Sequence, residues 1–224
     1  MLLIFDLDDT LYEEITFVKS GFKAVAKYLA KKYNLETDEL FNNCLKILNK
    51  EGRSQVFNIL LKEYKLYSQN EVLNCIKIYR YHKPDIKLYD DALRFLNKNS
   101  KSNIYVVTDG NKIVQRNKIM ALNLDNFVKR AYPTRQFGIK YEKPSPHVFL
   151  KIANLEKLCP SQIIYFGDNP YKDFCGIKPI GFKTIRIKRG QFSEIVLDKE
   201  HEAHLTFNNF DEININSLNK LINA

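Results

Sequence analysis

Leu2-Leu3-Ile4-Phe5-Asp6-Leu7-Asp8-Asp9-Thr10 opens the chain with four apolar residues that run straight into a cluster of acids. A short, continuously apolar run is the pattern of a strand buried on both faces, as in the middle of a parallel sheet. The acids mark its end. On an extended segment Asp6 and Asp8 would point to opposite faces, so presenting both to one substrate requires a sharp turn after Asp6.

Beyond this segment the period changes. Val18, Phe22, Val25, Ala26, Leu29 and Tyr33 recur three or four residues apart, which predicts an amphipathic helix over 17–33. Three further helical patterns over 38–48, 54–64 and 70–79 make a four-helix insertion. After His82-Lys83-Pro84-Asp85 the chain alternates: a helix over 90–97, a strand over 103–108, a helix over 113–121, and strands over 163–166 and 184–187. Ser145 and Pro146 predict a helix start, Ser as N-cap and Pro in the first turn, with Val148, Phe149, Ile152 and Leu155 as the apolar face. The Asn-rich stretch 208–223 keeps apolar residues throughout and predicts a polar helix. Strands alternating with helices imply an α/β fold with a doubly wound parallel sheet. The expected organisation is an α/β core of residues 1–13 and 85–224, interrupted by a helical insertion of residues 14–84.

With 224 residues and 45% hydrophobic content the chain can fill one good core. No apolar run approaches the roughly 20 residues that span a bilayer, and the start lacks the basic region and cleavage site of a signal peptide. The expected location is the cytoplasm, with no membrane partner. Cys44, Cys75, Cys159 and Cys175 are scattered, without a Cys-x-x-Cys pair, so reduced thiols are expected rather than disulfides or a zinc site. The net charge of +9 is spread along the chain with acids interleaved, so no nucleic-acid partner is expected. A positive field would concentrate a phosphorylated substrate.

Ligands of open parallel sheets bind beyond the carboxyl ends of the strands, and each polar cluster here follows a strand or can be carried to its end. Asp6 and Asp8 follow the first strand. Val106-Val107-Thr108-Asp109-Gly110-Asn111 ends the next with a hydroxyl and a Gly turn whose amides can meet an anion. Lys143-Pro144 precedes a helix. Gly167-Asp168-Asn169-Pro170-Tyr171-Lys172-Asp173 adds two carboxylates at a further strand end. His201-Glu202-Ala203-His204 lacks metalloprotease spacing and is expected on the surface near a late strand. His82 is expected to pack or hinge where the chain re-enters the core.

Acid pair, hydroxyl, lysine and acid pair, in that order on a parallel-sheet pattern, resemble the four motifs of the haloacid dehalogenase superfamily. Asp6-Leu7-Asp8-Asp9-Thr10-Leu11-Tyr12 looks like its phosphatase version, and the insertion resembles the family's small helical cap. The resemblance implies Asp6 as nucleophile and Asp8 as general acid and base. It implies Thr108, the amide of Asp109 or Gly110, and Lys143 as phosphoryl-binding groups. It also implies Mg2+ held by Asp6, the carbonyl of Asp8 and Asp168, with Asp173 in support. Elementary electrostatics asks for such a cation, because two like charges ~4 Å apart repel by roughly 4 kcal/mol at an effective dielectric near 20. The all-oxygen donor set suits magnesium, whereas zinc would call for His or Cys. The expected function is hydrolysis of a small phosphate monoester, a sugar phosphate or nucleotide, through an aspartyl-phosphate. A phosphomutase and a non-catalytic binding protein are the alternatives. The acid at Asp8 disfavours dehalogenase and phosphonatase chemistry, and the substrate and oligomeric state are left open.

Overall fold

A computed structural model describes residues 2–99 and 103–223. Two compact units emerge, Met1–Glu14 with Lys87–Ala224, and Ile15–Ile86. Asp85 and Ile86, assigned above to the core, belong to the helical unit, where the Asp85 amide donates to Ser20 Oγ at 2.9 Å. Glu14 belongs to the sheet unit, its amide tied to the Asp9 carboxylate at 2.9 Å.

In the sheet unit the strands are β1 (Leu2–Phe5), β2 (Asn103–Thr108), β3 (Arg130–Pro133), β4 (Ile163–Gly167), β5 (Lys183–Ile187) and β6 (Leu205–Phe207). They form a six-stranded sheet in the order β3-β2-β1-β4-β5-β6, and every pairing is parallel. β1 is central and wholly buried, as its unbroken apolar run predicts. Its alternate residues serve two cores. Leu2 and Ile4 join Tyr105, Val107, Val148, Phe149, Ile163 and Tyr165 on one face. On the other, Phe5 stacks on Phe166 at 4.7 Å and packs with Phe95 and Phe210. Each such ring buried contributes about 1.5–3 kcal/mol. Strand order reverses between β1 and β4, the point at which open α/β sheets bind ligands.

Two strands have no counterpart in the expected list, β3 and β6. Both are short edge strands. β3 reads Arg-Ala-Tyr-Pro, and its Pro is tolerated because an edge strand has one unpaired side. The Asn-rich stretch holds a 3-10 turn, Phe210–Glu212, before a helix confined to Ile215–Asn223. Asn209 Oδ1 accepts from the amides of Asp211 and Glu212, and Asn214 Oδ1 from that of Ser217. These asparagines cap short elements instead of continuing one helix. The helix after Lys143 begins at His147, one residue later than Pro146 suggested, with Ser145 Oγ accepting from the His147 amide at 3.4 Å.

The helical unit is built from α1 (Glu14–Tyr33, which starts in the sheet unit), α2 (Thr37–Glu51), α3 (Val56–Glu63) and α4 (Gln69–Tyr81). Val18, Phe22, Val25, Ala26 and Leu29 of α1 bury against Leu40, Cys44, Ile47, Leu60, Leu61, Val72 and Cys75, the face that the sequence period marks. His82 packs against Phe17 and Tyr79, with Nδ1 on the Tyr79 carbonyl and Nε2 on Ser20 Oγ. Burial holds its imidazole below the ordinary histidine range. Among the described residues no helix is long and apolar enough to cross a membrane.

Candidate active site

The chain after β1 stays in the ladder for one more residue, the Asp6 amide donating to the Phe166 carbonyl at 2.8 Å. It then turns. Asp9 adopts a left-handed conformation with φ 52°, and the Leu11 amide donates back to the Leu7 carbonyl at 3.0 Å. The chain thus reverses over residues 7–11, directly after Asp6.

Asp6 is 4% exposed, and its Oδ1 lies 2.8 Å from Lys143 Nζ. Asp168, from the end of β4, and Asp173, one turn further, bring carboxylate oxygens that lie with that of Asp6 within 4.8 Å of one another. Three buried acids at this spacing share one ammonium in direct contact, that of Lys143 on Asp6 and Asp173, with Lys172 acting on Asp6 from further off. Burial and the Asp173 charge push Asp6 up to about 7, against the pull of Lys143. Burial, then Asp173 and Asp6, raise Asp168 well above the usual carboxylate range. Burial disfavours the charged form of Lys143, but Asp173 and Asp6 outweigh it and hold the ammonium protonated.

Asp173 is a supporting acid. Its Oδ1 accepts from Lys143 at 2.7 Å and from Tyr165 Oη at 3.0 Å, and its Oδ2 from the Asn169 amide at 2.8 Å. A Cβ on Gly167 would meet Asp173 Oδ2 at 2.5 Å, so the carboxylate seats there only over a glycine. Asp168 is steadied by Thr10 Oγ1 at 3.3 Å and, through its carbonyl, by Arg186 Nε at 3.2 Å. Arg186, itself buried, is clamped by both oxygens of Glu202 at 2.8 and 2.9 Å. The His201–His204 stretch thus supplies a structural brace, and His204 Nδ1 bonds Thr184 Oγ1 at 2.8 Å.

Asp8 faces other partners. Its side chain is 23% exposed. Oδ1 receives Lys118 Nζ at 2.6 Å and a short hydrogen bond from Tyr12 Oη, and Oδ2 receives Gln115 Nε2 at 3.2 Å. Burial raises the Asp8 carboxyl, yet Lys118, Tyr12 and Gln115 together outweigh it and hold it below the usual range. Gln115 and Lys118 sit three residues apart on the helix α6 (Lys112–Ala121; α5 is Asp90–Lys98), and so on one face. Asn111 caps that helix through the amides of Ile113 and Val114.

Thr108 ends β2, and among the described residues its buried Oγ1 has no hydrogen-bond partner, so the hydroxyl has a donor to offer. The Asp109 carboxylate accepts from Thr134 Oγ1 at 2.7 Å, the Lys143 amide at 3.1 Å and Lys172 Nζ at 3.3 Å. Burial acts upward on this acid, but Lys143 and Lys172 bring it below its usual range. The Gly110 amide donates to Glu142 Oε1 at 3.2 Å. Every residue expected at the site lies in the sheet unit. Tyr12, Gln115, Lys118, Tyr165, Lys172, Arg186 and Glu202 join them without having been assigned a role from sequence.

The matching family model, haloacid dehalogenase-like hydrolase, covers residues 3–187. The chain belongs to that family. Among curated relatives, the glyceraldehyde 3-phosphate phosphatase of Pyrococcus furiosus is 28% identical over 90% of this chain and 86% of its own. The 2-haloacid dehalogenase of Pseudomonas syringae shares the fold with a TM-score of 0.65 at 19% identity, covering 99% of this chain and 97% of that one. The Bacillus subtilis protein YfnB, solved bound to magnesium, superposes with a TM-score of 0.64 at 18% identity over 100% and 98% of the two chains. In this family member the pocket of Asp6, Asp168 and Asp173 offers carboxylate oxygens alone, the donor chemistry of a hard divalent cation. Two of those carboxyls are displaced upward by burial first and by repulsion from neighbouring acids next, so a divalent cation fits both the charge and the donor type.

Gly176 fixes the loop that carries Lys143. A Cβ there would lie 1.6 Å from the Pro144 carbonyl oxygen, backbone that cannot swing aside. Gly176→Ala should therefore destabilise by about 1–3 kcal/mol and lower Tm by roughly 2–12 °C for a chain of this size. An unchanged melting curve would show that the Pro144–Gly176 contact has room for a methyl group.

Proposed function

We propose that this family member is a magnesium-dependent phosphatase that hydrolyses the phosphate monoester of a small sugar phosphate, with Asp6 as nucleophile. The observation that carries the reading is the clustering of the Asp6, Asp168 and Asp173 carboxylates at the carboxyl ends of β1 and β4, with Lys143 paired to Asp6 and Asp173. The activity named for the Pyrococcus relative supports a phosphorylated three-carbon sugar as the substrate class. Nucleotides are the comparison class.

In this reading the Asp6 carboxylate attacks phosphorus and the ester oxygen departs as an alcohol, taking a proton from Asp8. Asp8 then removes a proton from the water that opens the aspartyl-phosphate. Thr108 Oγ1, buried and unpartnered, donates to a phosphoryl oxygen. Of the two amides considered, that of Gly110 is engaged by Glu142, which leaves the role to Asp109. Lys143 holds Asp6 in place and offsets its charge. Asp6, Asp168 and the Asp8 carbonyl would hold the cation, with Asp173 behind them, and the cation would neutralise the charge gathered on carboxylates and phosphoryl oxygens. An acid at Asp8 is what an alkoxide leaving group needs and a halide does not. The Ile15–Ile86 unit, inserted between Asp8 and Thr108, is proposed to select among small esters as a cap.

Phosphate release should be measured over a panel of glyceraldehyde 3-phosphate, other sugar phosphates, nucleotides and phosphoacids. Turnover is expected to vanish on exhaustive chelation and to return with magnesium. Full activity in chelator, or restoration by zinc alone, would end the magnesium assignment. No release from any ester would end the phosphatase reading.

A further inference from the structure

We infer that Lys172 is a second phosphoryl-binding cation of this site, held ready by the Asp109 carboxylate; the inference rests on the phosphatase reading above. An ammonium has three N–H donors. All three of Lys143 are matched by protein acceptors: Asp6 Oδ1 at 2.8 Å, Asp173 Oδ1 at 2.7 Å and Tyr165 Oη at 3.0 Å. Its side chain is 1% exposed. A phosphoryl oxygen gains a hydrogen bond from Lys143 only by displacing one of these. Lys143 is therefore built to hold the nucleophile and its supporting acid.

Lys172 is placed differently. It precedes Asp173 in the same loop, its side chain keeps 34% of its surface exposed, and its ammonium approaches Asp109 Oδ2 at a long 3.3 Å. Asp109 is fixed independently, since its other oxygen takes Thr134 Oγ1 and the Lys143 amide. The carboxylate therefore stays where it is when the lysine moves. Asp109 is also the residue after Thr108, whose buried hydroxyl lacks a partner. Lys172 also lies within electrostatic reach of Asp6 and Asp173. A hydroxyl waiting for an acceptor and a loosely tethered ammonium thus flank the same strand end. Charge points the same way. Asp6, Asp109, Asp168 and Asp173 carry four negative charges when ionised. Lys143 and a divalent cation together leave one uncompensated before any phosphate arrives, and Lys172 closes that gap. An ammonium that trades a long contact to a carboxylate for a charge-assisted bond to a phosphoryl oxygen gains most as negative charge builds on that oxygen.

Wild type, Lys172→Met and Lys172→Arg would be compared as full-length proteins with magnesium. The measurements are phosphate release from glyceraldehyde 3-phosphate, calorimetric titration with inorganic phosphate, and melting temperature. Lys172→Met is expected to raise KM and the Kd for inorganic phosphate by about 10- to 100-fold, with Tm nearly unchanged. Lys172→Arg should recover most of the loss, because a second cation is what is needed. Native KM and native phosphate affinity in Lys172→Met would overturn the inference and leave the phosphatase reading standing. A parallel fall in Tm that Lys172→Arg fails to rescue would also overturn it, by showing a purely structural role. A wild type that hydrolyses no ester defeats the phosphatase reading, and the calorimetric comparison then decides Lys172 by itself.

Discussion

Asp6→Asn should cut turnover by about 10⁴-fold or more and, in the metal-free protein, raise the melting temperature at pH 8. The first effect follows from removing the nucleophile, since an amide cannot form the acyl-phosphate. The second follows from the electrostatics of the pocket. The Asp6 carboxyl rises from 3.8 to about 7, through burial first and repulsion by Asp173 next, against Lys143. A carboxyl raised in this way binds more protons in the folded state than in the unfolded chain between those two values. The native state therefore loses stability as pH climbs through that window. Asn has no such charge, so the variant escapes the loss, while Lys143 keeps Asp173 and Tyr165 as partners. Native and variant melting temperatures should draw together towards pH 4 and separate above pH 7 in chelator. Magnesium should then restore stability to the native protein more than to the variant. Near-native turnover in Asp6→Asn, or a phosphoryl adduct mapped to another residue, would place the chemistry on a different carboxylate.

How far the sequence reached is clearest at β1 and β3. β1 is four apolar residues at the centre of the sheet, so burial on both faces writes itself into composition. β3 carries an Arg and a Pro at the sheet's edge, where only one side is paired, and nothing in its four residues signals a strand. The same contrast holds at the site. Asp6, Thr108 and Asp168 directly follow, or end, strands whose apolar runs are legible, so chain order alone carries them to one end of the sheet. Gln115 and Lys118 sit on a helix where polar residues usually mean solvent, yet both are buried on Asp8. That contact joins residues more than a hundred positions apart and depends on how α6 packs. Glu202 was legible as part of a histidine-rich stretch, but its grip on Arg186, and through it on the Asp168 carbonyl, requires β5 to be in place.

The environment of Asp8 sets the second large expectation. Three donors, Lys118, Tyr12 and Gln115, converge on its carboxylate and favour the ionised form over the opposing effect of burial. Ionised, Asp8 is ready to take a proton from water in the second step. To give a proton to the leaving oxygen in the first, it must acquire one against those donors. Asp8→Asn should therefore lose about 10²–10⁴-fold in turnover of a sugar phosphate, the usual worth of general acid–base catalysis. The nucleophile remains, because Asp6 takes its position from β1 and Lys143 rather than from Asp8. The deficit in the first step should shrink for an aryl ester such as p-nitrophenyl phosphate, whose leaving group departs without protonation. With that ester the variant is expected to show a burst of phenolate followed by slow turnover. Opening of the aspartyl-phosphate still lacks its base, so a covalent phosphoryl group should accumulate on Asp6 and be detectable by mass spectrometry after acid quench. The amide should also forfeit the ion pair with the buried Lys118 and, having one oxygen in place of two, part of the hydrogen bonding from Tyr12 and Gln115, so a fall in Tm accompanies the fall in rate. Equal losses for the sugar phosphate and the aryl ester, with neither burst nor adduct, would mean that Asp8 positions the site and moves no proton.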